Sequence, residues 1–221
     1  MRSTAVAGDE TATRDKLIAA TAQCIISDGP NISSRMIART SDINSALINY
    51  YFGTKENLIR EAFRSLATPI NQNRHARLDA CREKAASNDI GMREIVEAFI
   101  VPYFESPGGI ETGRAVAWIS LASRHTPTDF ARSLITEHFD PIAQKTIELL
   151  QMTDKALSVR SVHQKYFFMS GAVLASLTGS QPNGRLDQLL HLSEEDRPLT
   201  SEELCGSLVE FVLNGLTVDS R

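Results

Sequence analysis

The sequence predicts an all-α protein in which a small N-terminal unit of short helices precedes a larger helical unit, with about nine to ten helices in total. Apolar residues recur at helical spacing along most of the chain, and the alternation typical of strands is absent. Cap and turn residues follow one another closely only before about residue 60. Because 42% of the 221 residues are hydrophobic and the net charge is only −4, the composition favours a globular protein and excludes a disordered chain.

The N-terminal unit is predicted to hold one longer helix and three short ones. Gly29 suits the left-handed position that follows a helix, and Pro30 prevents continuation, so the first helix is predicted from about Thr13 to Asp28. The next three are predicted at about 34–40, 45–51 and 55–66, with Ser33, Asn44 and Thr54 as N-caps and Pro69 as the stop signal. The second and third helices are three or four residues apart, which is the spacing of a helix-turn-helix.

Longer helices are predicted in the second part of the chain. Apolar residues from Met92 to Phe104 follow a helical period, and Pro102 predicts a kink or an early end there. Thr126 is expected to cap a helix that begins at Pro127. That helix is expected to run to about Met152 with a bend at Pro141, the remaining helices are expected to contain 116–121, 154–178 and 200–216, and residues 179–198 are predicted to form a loop.

The sequence also limits the cellular setting. The longest apolar run, Tyr166–Leu177, is too short for a bilayer, which needs about 20 residues. The N-terminus has no apolar signal segment, so we expect a cytoplasmic protein without membrane contact. The three cysteines, Cys24, Cys81 and Cys205, form no C-x-x-C pair, which argues against a disulfide framework or a cysteine zinc site.

Catalytic and metal-binding motifs are missing from the sequence. The five histidines do not occur in H-E-x-x-H or Glu-x-x-His spacing, which argues against those zinc and di-iron sites. The sequence also lacks G-x-S-x-G, P-loop and G-x-G-x-x-G motifs. We therefore expect no catalytic residues, no metal and no cofactor. A helical enzyme stays a rival class, which turnover of a bound ligand would identify.

The segment 33–55 carries residue types suited to DNA recognition. The second helix of a helix-turn-helix enters the major groove, where asparagine pairs with adenine and alanine contacts the thymine methyl group. The residues predicted to face bases are Asn44, Ser45, Ala46, Leu47 and Asn49. Those predicted to contact phosphates are Ser33, Ser34, Arg35, Tyr50, Tyr51 and Lys55, with Arg2 and Arg14 as further candidates. The alternative is a solvated helical surface, with the two tyrosines packed at a hinge.

The charge distribution alone does not identify a nucleic-acid binder. Residues 1–60 carry seven Lys or Arg and six Asp or Glu, a net charge of +1. A strongly basic patch is the usual footprint of nucleic-acid binding, and this part of the chain is only less acidic than the rest. A helical small-molecule-binding or adaptor protein that does not bind DNA therefore remains the alternative function.

Several spaced elements occur together in the N-terminal unit. They are Gly29 at the end of the first helix, Ile37-Ala38, Ile43-Asn44 and the run Asn49-Tyr50-Tyr51-Phe52-Gly53-Thr54-Lys55-Glu56-Asn57-Leu58. Together they resemble the DNA-binding signature of the tetracycline-repressor (TetR) family over about residues 13–60. Asp42, Ala46 and Asn49 differ from the residues most frequent at these positions, so the resemblance does not identify the operator sequence. We expect a flexible tail at 1–12 and a helix-turn-helix DNA-binding domain at 13–57.

The resemblance implies a C-terminal domain, here 58–221, that dimerises and binds a small effector. The helices around Tyr166–Leu177 and 128–152 are candidates for the dimer bundle, and Gly171, Ala172 and Ala175 would permit close helix approach. Burial of both helices within one subunit is the alternative. The C-terminal part is also similar to TetR regulators that sense acyl or other hydrophobic compounds, which implies an apolar effector.

The function implied is that of a ligand-responsive transcriptional regulator. We expect a repressor that binds a palindromic double-stranded DNA operator as a homodimer and is released by a small, hydrophobic effector. Effector pockets combine apolar walls with a few polar groups, so the candidates are large or polar-tipped residues on helices expected to face one another. These candidates are Phe99, Tyr103, Trp118, Leu121, His125, Phe167 and Met169. Ordinary core packing is the alternative for each of them.

Overall fold

The computed structural model describes residues 3–86, 90–125, 128–153, 155, 157–191, 197 and 199–217. These ranges hold helices and no strand, so the predicted all-α class is confirmed for them. In chain order the helices are α1 (Ser3–Asp28), α2 (Ser34–Ser41), α3 (Ala46–Phe52), α4 (Lys55–Ala86), α5 (Met92–Ile100), α6 (Pro102–Glu105), α7 (Gly109–His125), α8 (Asp129–His138), α9 (Asp140–Thr153), α10 (Val159–Gly179), α11 (Arg185–His191) and α12 (Ser201–Thr217).

The described ranges contain twelve helices, against nine or ten predicted. Helix α1 begins at Ser3 instead of after Thr13, so the segment predicted as a tail is helical from Ser3 onward. Pro102 opens the separate short helix α6, which agrees with the early end predicted there. Helix α11 lies in the stretch predicted as a loop, where the carboxylate of Asp187 accepts a hydrogen bond of 2.9 Å from the backbone N–H of Asn183 just before the helix and so supports its start.

Helix α4 passes through Pro69 without ending there, contrary to the prediction. A proline inside a helix removes a backbone hydrogen bond and costs about 3 kcal/mol. On either side of it, however, Leu66 and Ile70 are buried, and the helix packs against α1, α3, α5, α7, α8 and α9. Packing along both halves outweighs the local cost, so one helix of 32 residues joins the N-terminal helices to the rest of the chain.

The long helix predicted from Thr126 is divided into α8 and α9. Helix α8 begins at Asp129, and the hydroxyl of its N-cap Thr128 accepts a hydrogen bond of 3.1 Å from the backbone N–H three residues further on. The predicted cap and first residue, Thr126 and Pro127, lie outside the described residues. Pro141 falls in the first turn of α9, where a proline needs no N–H group, so it helps to start a helix and does not bend one.

The four N-terminal helices share one apolar core. Leu17 and Ile25 of α1, Ile37 of α2, Ile48 of α3 and Leu58 of α4 are each no more than 1% exposed. Full burial of a side chain of this size contributes about 1.5–3 kcal/mol. This core fixes α3 with one side against its neighbours and leaves its other side in contact with solvent.

Helix α7 comes into direct contact with the backbone of α6 at Gly113. A Cβ atom at this position would lie 2.2 Å from the backbone oxygen of Tyr103. The surrounding stretch of α7, from Thr112 to Ala117, is buried, so its neighbours have little freedom to move aside. Only glycine permits this approach.

We expect Gly113→Ala to destabilise the protein by about 1–3 kcal/mol, because α6 or α7 must shift to make room for the methyl group. Urea denaturation of the variant and the wild type measures the difference. Gly206→Ala in α12 is the matched control, since an added Cβ there meets no atom within 4 Å. The control should be neutral or gain up to about 1 kcal/mol from helix propensity. Equal stability of the two variants would show that the α6–α7 contact is looser than described.

Candidate functional site

The helix-turn-helix consists of α2, a short turn and α3. Ser33 caps α2, and its hydroxyl accepts a hydrogen bond of 3.2 Å from the backbone N–H three residues further on. Helix α2 ends at Asp42, which adopts the left-handed conformation with φ 54°. The side chain of Asn44 accepts a hydrogen bond of 2.9 Å from Ala46 N, so Asn44 supports the start of α3, although Ser45 occupies the N-cap position itself.

Helix α3 presents small and polar side chains to solvent. Its apolar residues Ile48 and Phe52 are buried against the N-terminal core, with exposures of 1% and 8%. Of the residues predicted to face bases, Leu47 is half-buried, while the exposed ones are Asn44, Ser45, Ala46 and Asn49. The exposed side of α3 therefore carries hydrogen-bonding groups and a methyl group, the types that read base edges in the major groove.

Two separate elements bring predicted phosphate contacts together. Ser33, Ser34 and Arg35 stand at the start of α2, where the first backbone N–H groups of a helix attract anions. Lys55 belongs to α4, yet its Nζ donates a hydrogen bond of 3.3 Å to the backbone oxygen of Ile32, just before this helix start. The result is a cluster of donors at the start of α2.

The junction between α3 and α4 is fixed by Asn57, a residue that was not among the predicted contacts. Its backbone N–H donates to Thr54 Oγ1 at 3.2 Å, as expected for a Thr54 cap, and its side-chain amide donates to Phe52 O at 2.9 Å. Thr54 followed three residues later by an amide side chain resembles a capping box. This spacing is the feature of the sequence that could have identified Asn57. Beside the junction, the rings of Tyr50 and Tyr51 meet edge-on with centroids 4.9 Å apart, and Tyr50 is 70% exposed.

Arg14, a further candidate for phosphate contact, is engaged within the protein. Its guanidinium carbon lies 5.0 Å from the ring centroid of Phe52, and its Nη2 lies 3.9 Å from a carboxylate oxygen of Glu61. A cation over an aromatic face is stabilising. This contact fastens α1 to α3 and α4. The other candidate, Arg2, lies outside the described residues.

An interior cavity of about 20 Å³ lies where α4, α5, α6, α7, α9 and α10 meet. Space of this size holds about one water molecule. The cavity is lined by Arg74, Phe99, Tyr103, Ser120, Arg124, Phe139, Ile142, Tyr166, Ser170, Val173 and Leu174. The rings of Phe99 and Tyr166 meet edge-on at 5.7 Å, and burial raises the pKa of the Tyr166 phenol to about 12, so it stays protonated.

Two of the seven predicted effector contacts, Phe99 and Tyr103, meet at this cavity. The ring of Trp118 lies instead against Gly29, with its nearest atom 3.3 Å from the place that a Cβ of this glycine would take. Leu121 is half-buried on α7, His125 and Phe167 are exposed, and Met169 lines a surface groove between α10 and α12. Helical spacing correctly groups residues on one helix, but it does not tell which neighbouring helix each side meets.

Ion pairs connect the beginning of α4 to α8. Glu137 lies 2.6 Å from Arg64 Nη2 and 3.4 Å from Arg60 Nη1. The hydrogen bond from Arg64 is the main reason why the pKa of Glu137 is held below its usual value. Phe139, two residues further along the chain, lines the interior cavity. The α8–α9 joint therefore contacts both the cavity and the helix that follows α3.

Helices α10 and α12 share an exposed apolar surface, which we call the α10–α12 surface. It comprises Phe167, Phe168, Gly171, Ala172, Ala175, Phe211 and Gly215. The three phenylalanines are 63%, 67% and 69% exposed in chain order, and a Cβ at Gly171 or Gly215 would meet no atom within 4 Å. Two grooves of about 160 and 490 Å³ run along it. Exposed apolar patches of this kind mark sites of contact with other molecules.

The second candidate for a dimer bundle, 128–152, forms α8 and α9. The apolar side of α9, which includes Ile142, Leu149 and Leu150, is buried within the subunit, and the helix packs against α4, α5 and α10. The apolar side of α9 therefore fits the alternative named for this segment, which is burial within one subunit. The exposed helix that accompanies α10 is α12.

Two family models match the chain. The one for bacterial regulatory proteins of the tetR family matches residues 17–62, and the one for the tetracyclin repressor-like C-terminal domain matches residues 97–215. The chain belongs to the TetR family. This confirms the resemblance and makes the protein a DNA-binding transcriptional regulator. The first match covers the helix-turn-helix, and the second covers the α10–α12 surface and most of the cavity lining.

Solved structures share the TetR fold with this chain. A tetR-family transcription regulator from Shewanella sp. PV-4 is 14% identical, with 92% of this chain and 97% of that chain covered and a TM-score of 0.56. A TetR-family regulator from Mesorhizobium loti MAFF303099 is 16% identical, with coverages of 93% and 97% and a TM-score of 0.53. The multidrug binding protein EbrR, solved with imidazole, is 16% identical, with coverages of 89% and 93% and a TM-score of 0.51. No curated protein matches the chain.

The described ranges show neither a metal-binding cluster, nor a membrane-spanning helix, nor a disulfide. No group of three or more His, Cys, Asp or Glu side chains in them is placed to hold a metal ion. None of the helices described has the length and apolar character needed to cross a bilayer. Cys24, Cys81 and Cys205 form no disulfide, and burial raises the pKa of Cys205 to about 11, so this thiol stays protonated.

Acidification should destabilise the protein through His138, which lies at the α4–α8 contact. Its ring is buried, meets Phe63 edge-on at 5.2 Å and faces Glu137, Arg60 and Arg64. Burial lowers its pKa below 6.5, so the unfolded chain takes up a proton first as the pH falls. Below pH 6.5, and down to the lowered pKa, stability should fall by up to about 1.4 kcal/mol per pH unit.

Thermal unfolding between pH 7.5 and about 5.5 measures this effect. His138→Phe should lose the His138 contribution, so its melting temperature should depend less on pH than that of the wild type. His163→Phe, which replaces an exposed histidine of α10, should keep the wild-type pH dependence. The same pH dependence in His138→Phe and the wild type would show that another group controls it.

Proposed function

We propose that the protein is a ligand-responsive repressor that binds a palindromic operator as a homodimer and is released by a small, hydrophobic effector. The observation that carries this proposal is the continuity of α4. The helix follows α3 directly, and in its second half it carries Arg74 at the interior cavity. A change at the cavity therefore has a rigid connection to the reading helix, as coupling between two sites requires.

In the proposed complex, α3 lies in the major groove. Asn44, Ser45, Ala46, Leu47 and Asn49 face base edges, and the Asn49 amide is suited to adenine. This role is supported by burial and exposure. The polar side chains of Asn44, Ser45 and Asn49 are exposed, whereas the opposite side of α3 is buried. The half-buried Leu47 contributes an apolar contact at the edge of the interface.

Phosphates are proposed to bind on both sides of α3. On one side, Ser33, Ser34 and Arg35 offer the start of α2, and Lys55 adds an ammonium group that already points to this place. On the other side, the hydroxyls of Tyr50 and Tyr51 offer hydrogen bonds at the end of α3. These contacts would set the register of α3 on the duplex.

The proposed dimer forms through the α10–α12 surface of two copies. Each copy would bury three phenylalanines that are otherwise well exposed, and burial of such a side chain contributes about 1.5–3 kcal/mol. The glycines and alanines of the surface allow the helices of the partner to approach closely. A palindromic operator requires two reading helices related by a two-fold axis. A second copy of the chain bound to the α10–α12 surface would supply the second reading helix.

The effector is proposed to act by changing the domain arrangement. A ligand that favours an arrangement in which the two α3 helices no longer match successive major grooves lowers DNA affinity, and such coupling amounts to about 1–3 kcal/mol. The contact of Glu137 with Arg60 and Arg64 supports this route, because it joins the cavity-lining α8–α9 joint to α4. We propose no catalytic step. Because a repressor works where the DNA is, we propose that the protein acts in the cytoplasm.

Selection from random double-stranded DNA, with sequencing of the bound fraction at several salt concentrations, tests the proposed DNA-binding function. We expect an enriched palindrome whose half-sites lie about one helical turn or more apart. If folded, dimeric protein enriches no sequence at any salt concentration, the chain is better explained as a helical small-molecule-binding or adaptor protein.

Asn49→Ala should change which bases of the operator matter. The variant removes an exposed amide without disturbing the core, and loss of a base contact costs about 1–3 kcal/mol at the operator. We expect weaker binding to the selected operator and relaxed preference at one position of each half-site. An unchanged base-preference profile would exclude Asn49 from base reading.

Lys55→Gln provides the contrast in the same assay. It keeps a hydrogen-bond donor for the backbone oxygen of Ile32 and removes the charge. Binding should weaken about equally for all sequences, and the slope of log K against log salt concentration should fall by about one for each protomer. An unaltered slope would remove Lys55 from the phosphate contacts.

Phe168→Glu should convert the dimer to a monomer, because it places a charge in the centre of the α10–α12 surface. Sedimentation velocity at micromolar protein concentration measures the mass, and weaker operator binding should accompany the loss of the dimer. Val159→Glu is the matched control: Val159 is 70% exposed and lies on the opposite side of α10. A dimeric Phe168→Glu variant would show that the two copies meet elsewhere.

A further inference from the structure

Arg74 is a buried cation that pairs with no carboxylate among the residues that the structure describes. The residue is 1% exposed, and its guanidinium carbon lies 4.2 Å from the ring centroids of both Phe99 and Tyr103. Nε donates a hydrogen bond of 2.9 Å to Phe99 O, and Nη1 lies 3.5 Å from Asn71 Oδ1. Nη2 is buried and has no hydrogen-bond partner within the described part of the chain.

The arginine next to it along the same side of α4 is partnered differently. Arg77 pairs with the carboxylate of Glu105 and donates a hydrogen bond of 2.8 Å to Asn73 Oδ1. Arg74 makes no ion pair with any carboxylate in the described ranges, although it is the more deeply buried of the two. A buried charge is unfavourable unless an opposite charge or a set of hydrogen bonds compensates it. Arg74 has hydrogen bonds for two of its three nitrogens.

The unpartnered nitrogen belongs to a residue that lines the interior cavity. Among the described residues, two cations, Arg74 and Arg124, line this cavity and no carboxylate does. Ser120 and Ser170 contribute hydroxyls. The remaining lining is apolar or aromatic and includes Phe139, Ile142, Val173 and Leu174. The described lining therefore combines positive charge with a mainly apolar and aromatic surface.

We propose that the cavity binds the carboxylate of a small organic acid that has an apolar body. A carboxylate oxygen accepts a hydrogen bond from Arg74 Nη2, and the apolar body lies against the hydrophobic lining. A single carboxylate supplies the one negative charge that Arg74 lacks, whereas a multiply charged phosphate or sulfate would bring excess charge into an apolar site. This inference rests on the proposed function and specifies its effector as an anion with a hydrophobic part.

Binding requires the cavity to open, because its present volume is suited to about one water molecule. Arg124 is exposed and also lines the cavity, so the cavity reaches the surface beside this side chain. Phe139, at the α8–α9 joint, is also half-exposed, as is Tyr166 of α10. An organic acid displaces Arg124 and Phe139 outward, and movement of Phe139 changes the contact of Glu137 with α4. The site is thus placed to transmit occupancy to the DNA-reading helix.

Isothermal titration calorimetry on the 221-residue protein tests the site, with ionic strength held constant by chloride. The probes are sodium benzoate and sodium hexanoate, and the controls are benzamide and hexanamide, which match them in shape and lack the charge. We expect at least one of the two carboxylates to bind, and its amide to bind at least about 10-fold more weakly, as loss of a hydrogen bond between charged groups implies. Absence of binding by both carboxylates, or equal binding of acid and amide, would overturn the proposal.

Variants locate the site. Arg74→Met keeps an apolar stem between the two rings and removes the charge, so carboxylate binding should fall at least about 10-fold. Arg74→Lys should retain measurable binding, and Arg82→Met, at an exposed position of α4, should leave it unchanged. Carboxylate binding by Arg74→Met at wild-type strength would place the site elsewhere. If Arg74→Met does not fold, Arg124→Gln at the exposed mouth should weaken carboxylate binding and leave amide binding unchanged.

Operator binding, measured separately in the presence of each probe, distinguishes this inference from the proposed function. If the carboxylate binds through Arg74 without weakening DNA binding, the anion site stands and the proposed release mechanism fails. If the protein binds a palindromic operator but no carboxylate, the regulator stands and the anion site fails.

Discussion

The constraint on which the rest of the structure depends is the continuity of α4. A helix of 32 residues is about 48 Å long, so it reaches from the end of α3 to the interior cavity without a hinge. Its first turns pack in the N-terminal core through Leu58, and its second half carries Arg74. The break that Pro69 favours would uncouple the two ends. Packing on both sides of Pro69 prevents this, and a rigid connection is therefore a consequence of tertiary burial and not of local helix propensity.

The second feature that organises the molecule is the placement of charge along this helix. At its beginning, Arg60 and Arg64 share the carboxylate of Glu137 and so join α4 to α8. Deeper in the protein, Arg74 is held between two aromatic rings, which orient the guanidinium but do not neutralise it. Exposed pairs of the first kind contribute little stability, whereas an uncompensated buried charge has a substantial energetic cost. Buried groups that reduce stability often serve ligand binding. For this reason Arg74, and not the ion pairs of Glu137, points to a ligand site.

Local signals predict the N-terminal part better than the C-terminal part, and the reason is physical. Ser33 and Thr54 accept hydrogen bonds from backbone N–H groups three residues further on, so these caps can be predicted from the sequence alone. Asn44 supports the start of α3 in the same local way, although Ser45 takes the N-cap position predicted for Asn44. The passage of α4 through Pro69 and the unpartnered state of Arg74 depend on helices that are distant in the sequence. Likewise, helical spacing identifies Phe167 as a large apolar residue of α10, but only the packing of the neighbouring helices shows that it lies on the outside.

The weak net charge of the N-terminal 60 residues has a consequence for how such a regulator distinguishes its operator. Non-specific affinity for DNA grows with the number of phosphates neutralised, so a domain with a net charge of +1 gains little from the backbone alone. Discrimination then depends on a few well-placed contacts, which the hydrogen bonds of Asn57 and Lys55 help to position. In the proposed dimer two α3 helices fit the DNA together, so a small change in their separation affects both half-sites at once. On the proposed release mechanism, a coupling free energy of about 1–3 kcal/mol acts on both half-sites together and lowers operator affinity by about 5- to 150-fold.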